Sequence, residues 1–155
     1  MGQADFMNYF GAVFEETPDV AEQVWNDRPF QDAVDLHQKM TAVVEQMTVA
    51  EQIALIRAHP ELGKRGKMAE ASVQEQAGAG LSQLEADDRE HMRQLNSDYR
   101  EKFGFPFVMA VKGLNRSDIL TAFEQRLCMA AEAERVRSLA EIYKIAQFRL
   151  NDLVK

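Results

Sequence analysis

The sequence has little that would tie it to an oxidising compartment, a membrane or a nucleic acid. It contains one cysteine, Cys128, so an internal disulfide cannot form and a reducing cytoplasm is the expected location. No run approaches the roughly eighteen apolar residues of a membrane span, and the first residues lack the basic and apolar regions of a signal peptide. A formal net charge of −7 argues against nucleic acid as the main partner.

Motifs for cofactors and metals are also missing. The spacing of the three histidines and Cys128 does not resemble a metal site. There is no glycine loop for phosphate, no nucleophile elbow and no dinucleotide fingerprint. Any chemistry performed by this chain is therefore expected to need neither a metal nor an organic cofactor.

Helical periodicity is present almost throughout the chain. Leu36, Met40, Val44 and Met47 form one amphipathic stripe, and similar stripes recur up to the C-terminus. With 155 residues, 46% of them hydrophobic and 28% charged, the chain is expected to form one globular domain over residues 1–155. These features predict an all-α fold, a single compact domain of about eight helices.

Several short patterns predict where helices begin. Capping boxes, in which a hydroxyl and a carboxylate three residues apart satisfy each other's backbone donors, occur at 48–51, 72–75 and 82–85. Ser117 is predicted to cap a later helix, and the last helix is predicted to run from about Ala133 to Leu153.

Two segments interrupt the helical pattern and are predicted to form the active site. In the first, residues 59–71, Pro60 follows His59 and a basic loop lies at 64–67. The second, residues 103–116, begins with an apolar stretch containing glycine and proline, which predicts a buried, extended chain through Val111.

His59 is the first candidate for chemistry, because histidine gives or takes a proton near neutral pH. A histidine at a helix exit beside a basic loop suits proton transfer on an anionic substrate. The alternative is a histidine that only interacts favourably with the C-terminal end of its helix dipole. His37 and His91 are predicted to be solvated.

Two further candidates have both a structural and a functional interpretation. Ser72 and Glu75 are explained by a capping box, yet the carboxylate and the amide of Gln76 could also hydrogen-bond a urea-like ligand. Arg149 shares a helix face with Ile142 and Ile145, so its guanidinium must either reach water or bind a buried anion.

Motifs along nearly the whole chain, from about Phe6 to Leu150, resemble those of the OHCU decarboxylase family. This family converts 2-oxo-4-hydroxy-4-carboxy-5-ureidoimidazoline (OHCU) to (S)-allantoin at the end of urate degradation. The similar stretches, in order, are HPELG at 59–63, SVQEQ at 72–76, AGL at 79–81, LNSDY at 95–99, KFGFPFV at 102–108 and EIYKIAQFRL at 141–150.

The resemblance implies an all-α, cofactor-independent carboxy-lyase that is commonly a homodimer, with OHCU as substrate and allantoin as product. It implies that His59 is a proton donor, that Glu75 faces the ureido or ring N–H groups, and that Arg149 binds the carboxylate or the developing oxyanion. The substrate-binding residues that it implies are Pro60, Ser72, Val73, Gln74, Glu75, Gln76, Phe107, Val108, Met109, Ala110, Val111 and Arg149, of which Phe107 to Val111 would supply backbone contacts.

Two other functions remain open from the sequence. A hydrolase acting on a ureido compound is one, although the missing metal ligands weigh against it. A helical binding module, with an acidic surface and eight methionines for a protein partner, is the other.

Overall fold

The computed structural model describes residues 2–62, 70–81 and 85–154, except for the side chains of residues 70–72. Among these residues there are eight α-helices and no β-strand, so the predicted all-α fold is confirmed. The helices are α1 (Gln3–Phe10), α2 (Asp19–Val24), α3 (Ala33–Glu45), α4 (Val49–Arg57), α5 (Glu70–Gly78), α6 (Ala86–Phe103), α7 (Arg116–Leu127) and α8 (Ala131–Leu153), with a short 3₁₀ turn at Trp25–Asp27.

Helix α4 leads directly to the first irregular segment. The predicted capping box is confirmed, because the Thr48 hydroxyl accepts from the Glu51 amide and the Glu51 carboxylate accepts from the Thr48 amide. The helix ends at Arg57, since Pro60 disfavours helical backbone at the residue before it. His59 therefore lies just beyond the last turn of α4.

Helix α6 leads to the second irregular segment. It ends at Phe103 and is followed by Gly104, whose φ of +80° is a left-handed conformation that glycine adopts without strain. Residues 106–111 then continue without helix, turn or bend. Phe105, Phe107 and Val108 are buried, as the sequence predicted, and the Phe107 ring stacks on Phe123 at 3.8 Å between centroids.

The long helix α8 organises the core. Its buried apolar residues, Leu139, Ile142, Ala146 and Leu150, recur at helical spacing, and the helix packs against α3, α4 and α6. Arg149 lies on the same helix, which fixes its side chain at the edge of the core. None of the helices in the described part of the chain is long and apolar enough to cross a membrane.

Two predicted capping residues are wrong. Helix α7 is capped by Asn115, which exchanges hydrogen bonds with Asp118, so Ser117 lies inside the helix. Ser72 likewise lies within α5, which includes Glu70, so it cannot be the N-cap of a box with Glu75.

Other predicted features fall partly outside the described residues. In the capping pattern at 82–85, residues 82–84 lie outside the described residues. Helix α6 was predicted to begin at Ser82, but it begins at Ala86, with Glu85 as its N-cap. The basic loop at 64–67 also lies outside the described residues.

His37 was predicted to be solvated, but this prediction is wrong. Its side chain is half-buried, and Nε2 lies 2.8 Å from the Tyr143 carbonyl oxygen on α8. The residue joins two helices, whereas His91 is exposed as expected and lies 3.7 Å from Glu124.

Candidate active site

A cavity of about 600 Å³ lies between α1, the exit of α4, α5, the second irregular segment and α8. It brings together His59, Glu75 and Arg149, which lie far apart in the sequence. The other predicted residues that line it are Pro60, Gln74, Gln76, Val108, Met109, Ala110 and Val111. Both irregular segments therefore contribute to one cavity.

His59 enters this cavity as a neutral base. Its side chain is 6% exposed, and Nδ1 lies 3.0 Å from the Leu55 carbonyl oxygen, so Nδ1 carries the proton. Burial lowers the pKa of His59 from 6.5 to about 4; the Leu55 carbonyl opposes this shift and the positive charge of Arg149 adds to it. At neutral pH, Nε2 therefore has a free lone pair, and it is buried without a partner among the described residues.

Arg149 is buried and bound to carboxylates, so it does not reach out to water. Its Nε and Nη2 atoms donate to the two oxygens of Glu75 at 3.1 and 2.9 Å, which forms a bidentate pair. Nη1 lies 3.4 Å from the Ala12 and Val13 carbonyl oxygens that follow α1. These contacts hold the guanidinium in a fixed plane at the cavity wall.

A second carboxylate, that of Glu15, lies behind the guanidinium. It is 1% exposed, and its Oε2 atom is 3.9 Å from Arg149 Nη2. Glu75, in contrast, is partly exposed and lines the cavity. Arg149 therefore has one fully buried carboxylate partner and one that a ligand can reach.

Two predicted binding residues lie elsewhere, and one is not described. Phe107 is fully buried in the core against Phe123, and Val73 is 46% exposed; neither lines the cavity. The alternation along the irregular segment turns Phe107 inward, and Val73 lies on the outer surface of α5. The side chain of Ser72 lies outside the described residues.

Three residues near the cavity were not predicted from the sequence. Glu15 belongs to a pair of adjacent acids after α1 and looks solvated in the sequence. Tyr9 and Lys112 line the cavity, and Lys112 Nζ lies 5.0 Å above the Phe148 ring. Tyr9 lies on α1 beside the buried Phe6 and Phe10, and its side chain is exposed, so only the cavity that it shares with residues of α8 identifies it.

No group of three or more histidine, cysteine, aspartate or glutamate side chains that could hold a metal ion occurs among the residues described. The fold and the cavity define an all-α protein whose candidate active site combines a neutral histidine with a buried arginine–carboxylate pair. This arrangement can accept and return one proton beside a bound anion.

Comparison with known proteins identifies the family. The family profile described as OHCU decarboxylase matches residues 1–151, and the chain belongs to this family. It is 42% identical over 145 residues to 2-oxo-4-hydroxy-4-carboxy-5-ureidoimidazoline decarboxylase of Haloferax volcanii, covering 94% of this chain and 86% of that protein.

Longer proteins are also similar. The chain is 43% identical over 144 residues to the uric acid degradation bifunctional protein PucL of Bacillus subtilis, but these residues, 93% of this chain, span only 29% of that protein. Among solved structures, the crystal structure of (S)-allantoin synthase superposes with a TM-score of 0.82 and 25% identity, covering 99% of this chain and 51% of that chain.

Proposed function

We propose that the cavity binds OHCU and that the protein catalyses its decarboxylation to (S)-allantoin. The observation that carries this proposal is the neutral His59, with an open Nε2, in the same cavity as Arg149. Family membership and the name of the Haloferax volcanii relative supply the substrate.

The chemistry requires one proton to be moved between two places on the substrate and a second proton to be taken up from water. When the bond to CO₂ breaks, its electron pair forms a double bond to the neighbouring ring carbon, and the ring imine nitrogen takes up the displaced pair together with the proton from water. The hydroxyl then loses its proton to become a carbonyl, and the neighbouring carbon gains a proton on one face.

His59 is suited to both transfers, in a fixed order. Because its pKa lies near 4, the imidazole cannot donate from Nε2 at neutral pH until it has first accepted a proton. We therefore assign Nε2 as the base for the substrate hydroxyl and then as the donor to carbon. The Leu55 carbonyl keeps Nδ1 protonated and the ring oriented throughout.

Arg149 and Glu75 are suited to bind the two polar ends of the substrate. The substrate carboxylate competes with Glu75 for the guanidinium, and the released Glu75 carboxylate can accept from the ureido N–H groups. Glu15 remains behind Arg149 and keeps it oriented during this exchange. The apolar side chains of Val108, Ile145 and Phe148 line the cavity and favour conversion of the charged substrate carboxylate to neutral CO₂.

Turnover of freshly generated OHCU by wild type and two histidine variants tests the proposal. His59→Asn retains a donor for the Leu55 carbonyl but has no titrating group, and we expect it to lose about 10²- to 10⁴-fold of the enzymatic rate. His37→Asn is the matched control, because His37 bonds to Tyr143 outside the cavity lining, and we expect it to retain activity. Equal rates for His59→Asn and wild type, above the uncatalysed rate, would contradict the proposed role.

We further propose that residues 1–155 form one domain, that the protein is a homodimer and that it acts in the cytoplasm. The resemblance to the family supports the dimer, and the single cysteine supports a reducing location. Light scattering coupled to size-exclusion chromatography is expected to give twice the 17.6 kDa mass of the chain. A single cooperative unfolding transition is expected for one domain.

A further inference from the structure

Glu141 on α8 holds the irregular segment that forms one wall of the cavity. Its side chain is 2% exposed, and Oε1 accepts from the Ala110 amide at 3.1 Å. Its other oxygen accepts from Lys144 at 2.8 Å and Arg137 at 3.2 Å, whose side chains are exposed. Burial alone would raise the pKa of Glu141, but hydrogen bonds from Lys144 and the Ala110 amide outweigh it, so the pKa lies below 4.5.

Arg126 on α7 holds the same segment two residues earlier. Its Nη1 atom donates to the Val108 carbonyl at 2.7 Å. The guanidinium is buried, and it also donates to Glu134 at 2.8 Å and to Ser138 at 3.1 Å. The segment is thus fixed at one carbonyl and at one amide, by charged groups from two different helices.

These two contacts determine the direction of the peptide groups on either side of Met109. Both peptide bonds are trans, so the N–H and C=O of each peptide unit point in opposite directions. The Val108 carbonyl points to Arg126, which turns the Met109 N–H the other way. The Ala110 amide points to Glu141, which turns the Met109 carbonyl to the side away from Glu141.

We propose that Glu141, together with Arg126, is a positioning residue that makes Met109 present a backbone donor and a backbone acceptor to the cavity, which Met109 lines. A group with an adjacent carbonyl and N–H, as in a cyclic amide or a ureido group, matches this pair. OHCU contains both kinds of group, so the identity of the ligand rests on the proposed function, whereas the orientation of the segment does not.

Two substitutions separate the hydrogen bond from the charge. Glu141→Gln keeps an oxygen that can accept from the Ala110 amide, and Glu141→Met has a similar length but no acceptor. The double variant Arg137→Ala/Lys144→Ala removes only the exposed partners of the carboxylate. Circular dichroism at the assay temperature confirms that each variant is folded.

We expect Glu141→Met to raise the KM for OHCU and the Kd for (S)-allantoin about tenfold, while kcat changes less than about threefold. Glu141→Gln and the double variant are expected to remain within about threefold of wild type in all three quantities. A residue that only stabilised the fold would lower the thermal midpoint without changing KM or Kd in folded protein.

Amide hydrogen exchange provides a readout that does not depend on activity. The Ala110 amide is expected to be protected in wild type and Glu141→Gln, and to exchange at least about tenfold faster in Glu141→Met. Unchanged KM and Kd in folded Glu141→Met would overturn the proposal. An increase in KM and Kd in Glu141→Gln as large as in Glu141→Met would also overturn it. If wild type neither turns over OHCU nor binds allantoin, the proposed function fails, and an unchanged Ala110 exchange rate would separately overturn the positioning role.

Discussion

The neutral state of His59 predicts a specific loss of stability in acid. The imidazole has a pKa of about 4 in the folded protein, against 6.5 for an unperturbed histidine. Between these values the unfolded chain binds a proton that the folded chain does not, so the free energy of unfolding decreases as the pH falls from 6.5 to 4. At about 1.4 kcal/mol per pKa unit, the full contribution is about 3 to 4 kcal/mol.

His59→Asn isolates this contribution from the carboxylates that also destabilise the fold in acid. We expect the unfolding free energy of wild type minus that of the variant to fall by about 3 kcal/mol between pH 7.5 and pH 4. Urea titrations followed by circular dichroism, at pH steps across that range, measure the difference. Every other ionisable side chain is common to the two proteins, so its contribution cancels in the difference.

A difference that does not change with pH would show that His59 is not buried as a neutral base. A difference that increases towards low pH would show a raised pKa, with the imidazole charged at neutrality. Either result would remove the free lone pair on Nε2 from the proposed mechanism.

Three further substitutions test other parts of the structure. Arg149→Lys cannot form the bidentate pair with Glu75, so we expect kcat/KM to fall at least tenfold, while retention of the wild-type value would contradict the proposed carboxylate site. Gly104→Ala adds a side chain at φ +80°, which is expected to lower the unfolding free energy by about 1 kcal/mol in urea titrations with little effect on KM. Thr48→Ala removes the capping box with Glu51 and is expected to cost about 1 kcal/mol in the same assay; no loss would mean that this cap does not stabilise α4.

Local sequence patterns were sufficient to predict the helices that bury an apolar stripe. The periodicity of α3 and α8 and the capping box at Thr48 correspond to the structure, because each depends on residues within one or two turns. The prediction that Ser117 caps α7 was wrong because Asn115, two residues earlier, forms a reciprocal capping pattern with Asp118. Several polar residues near a helix start compete, and pattern alone does not decide among them.

Residue patterns alone made His59, Glu75 and Arg149 candidates, but only the family resemblance assigned them to one site. The position of Arg149 on an apolar helix face did not decide whether its guanidinium reaches water or binds a buried anion, because its carboxylate partners lie in distant parts of the sequence. Glu15 gave no signal, because a buried carboxylate and a solvated one look alike until tertiary packing is known. The hydrogen bond from Glu141 to the Ala110 amide is likewise a contact between distant segments.

Stereochemistry tests the central claim most directly, because protonation of one face of the substrate requires His59 and Arg149 to act in one cavity. Freshly generated OHCU, turned over by the purified chain and monitored by circular dichroism, is expected to give optically active (S)-allantoin faster than the uncatalysed reaction. Racemic allantoin formed at the uncatalysed rate, in the presence of well-folded wild-type protein, would contradict the account.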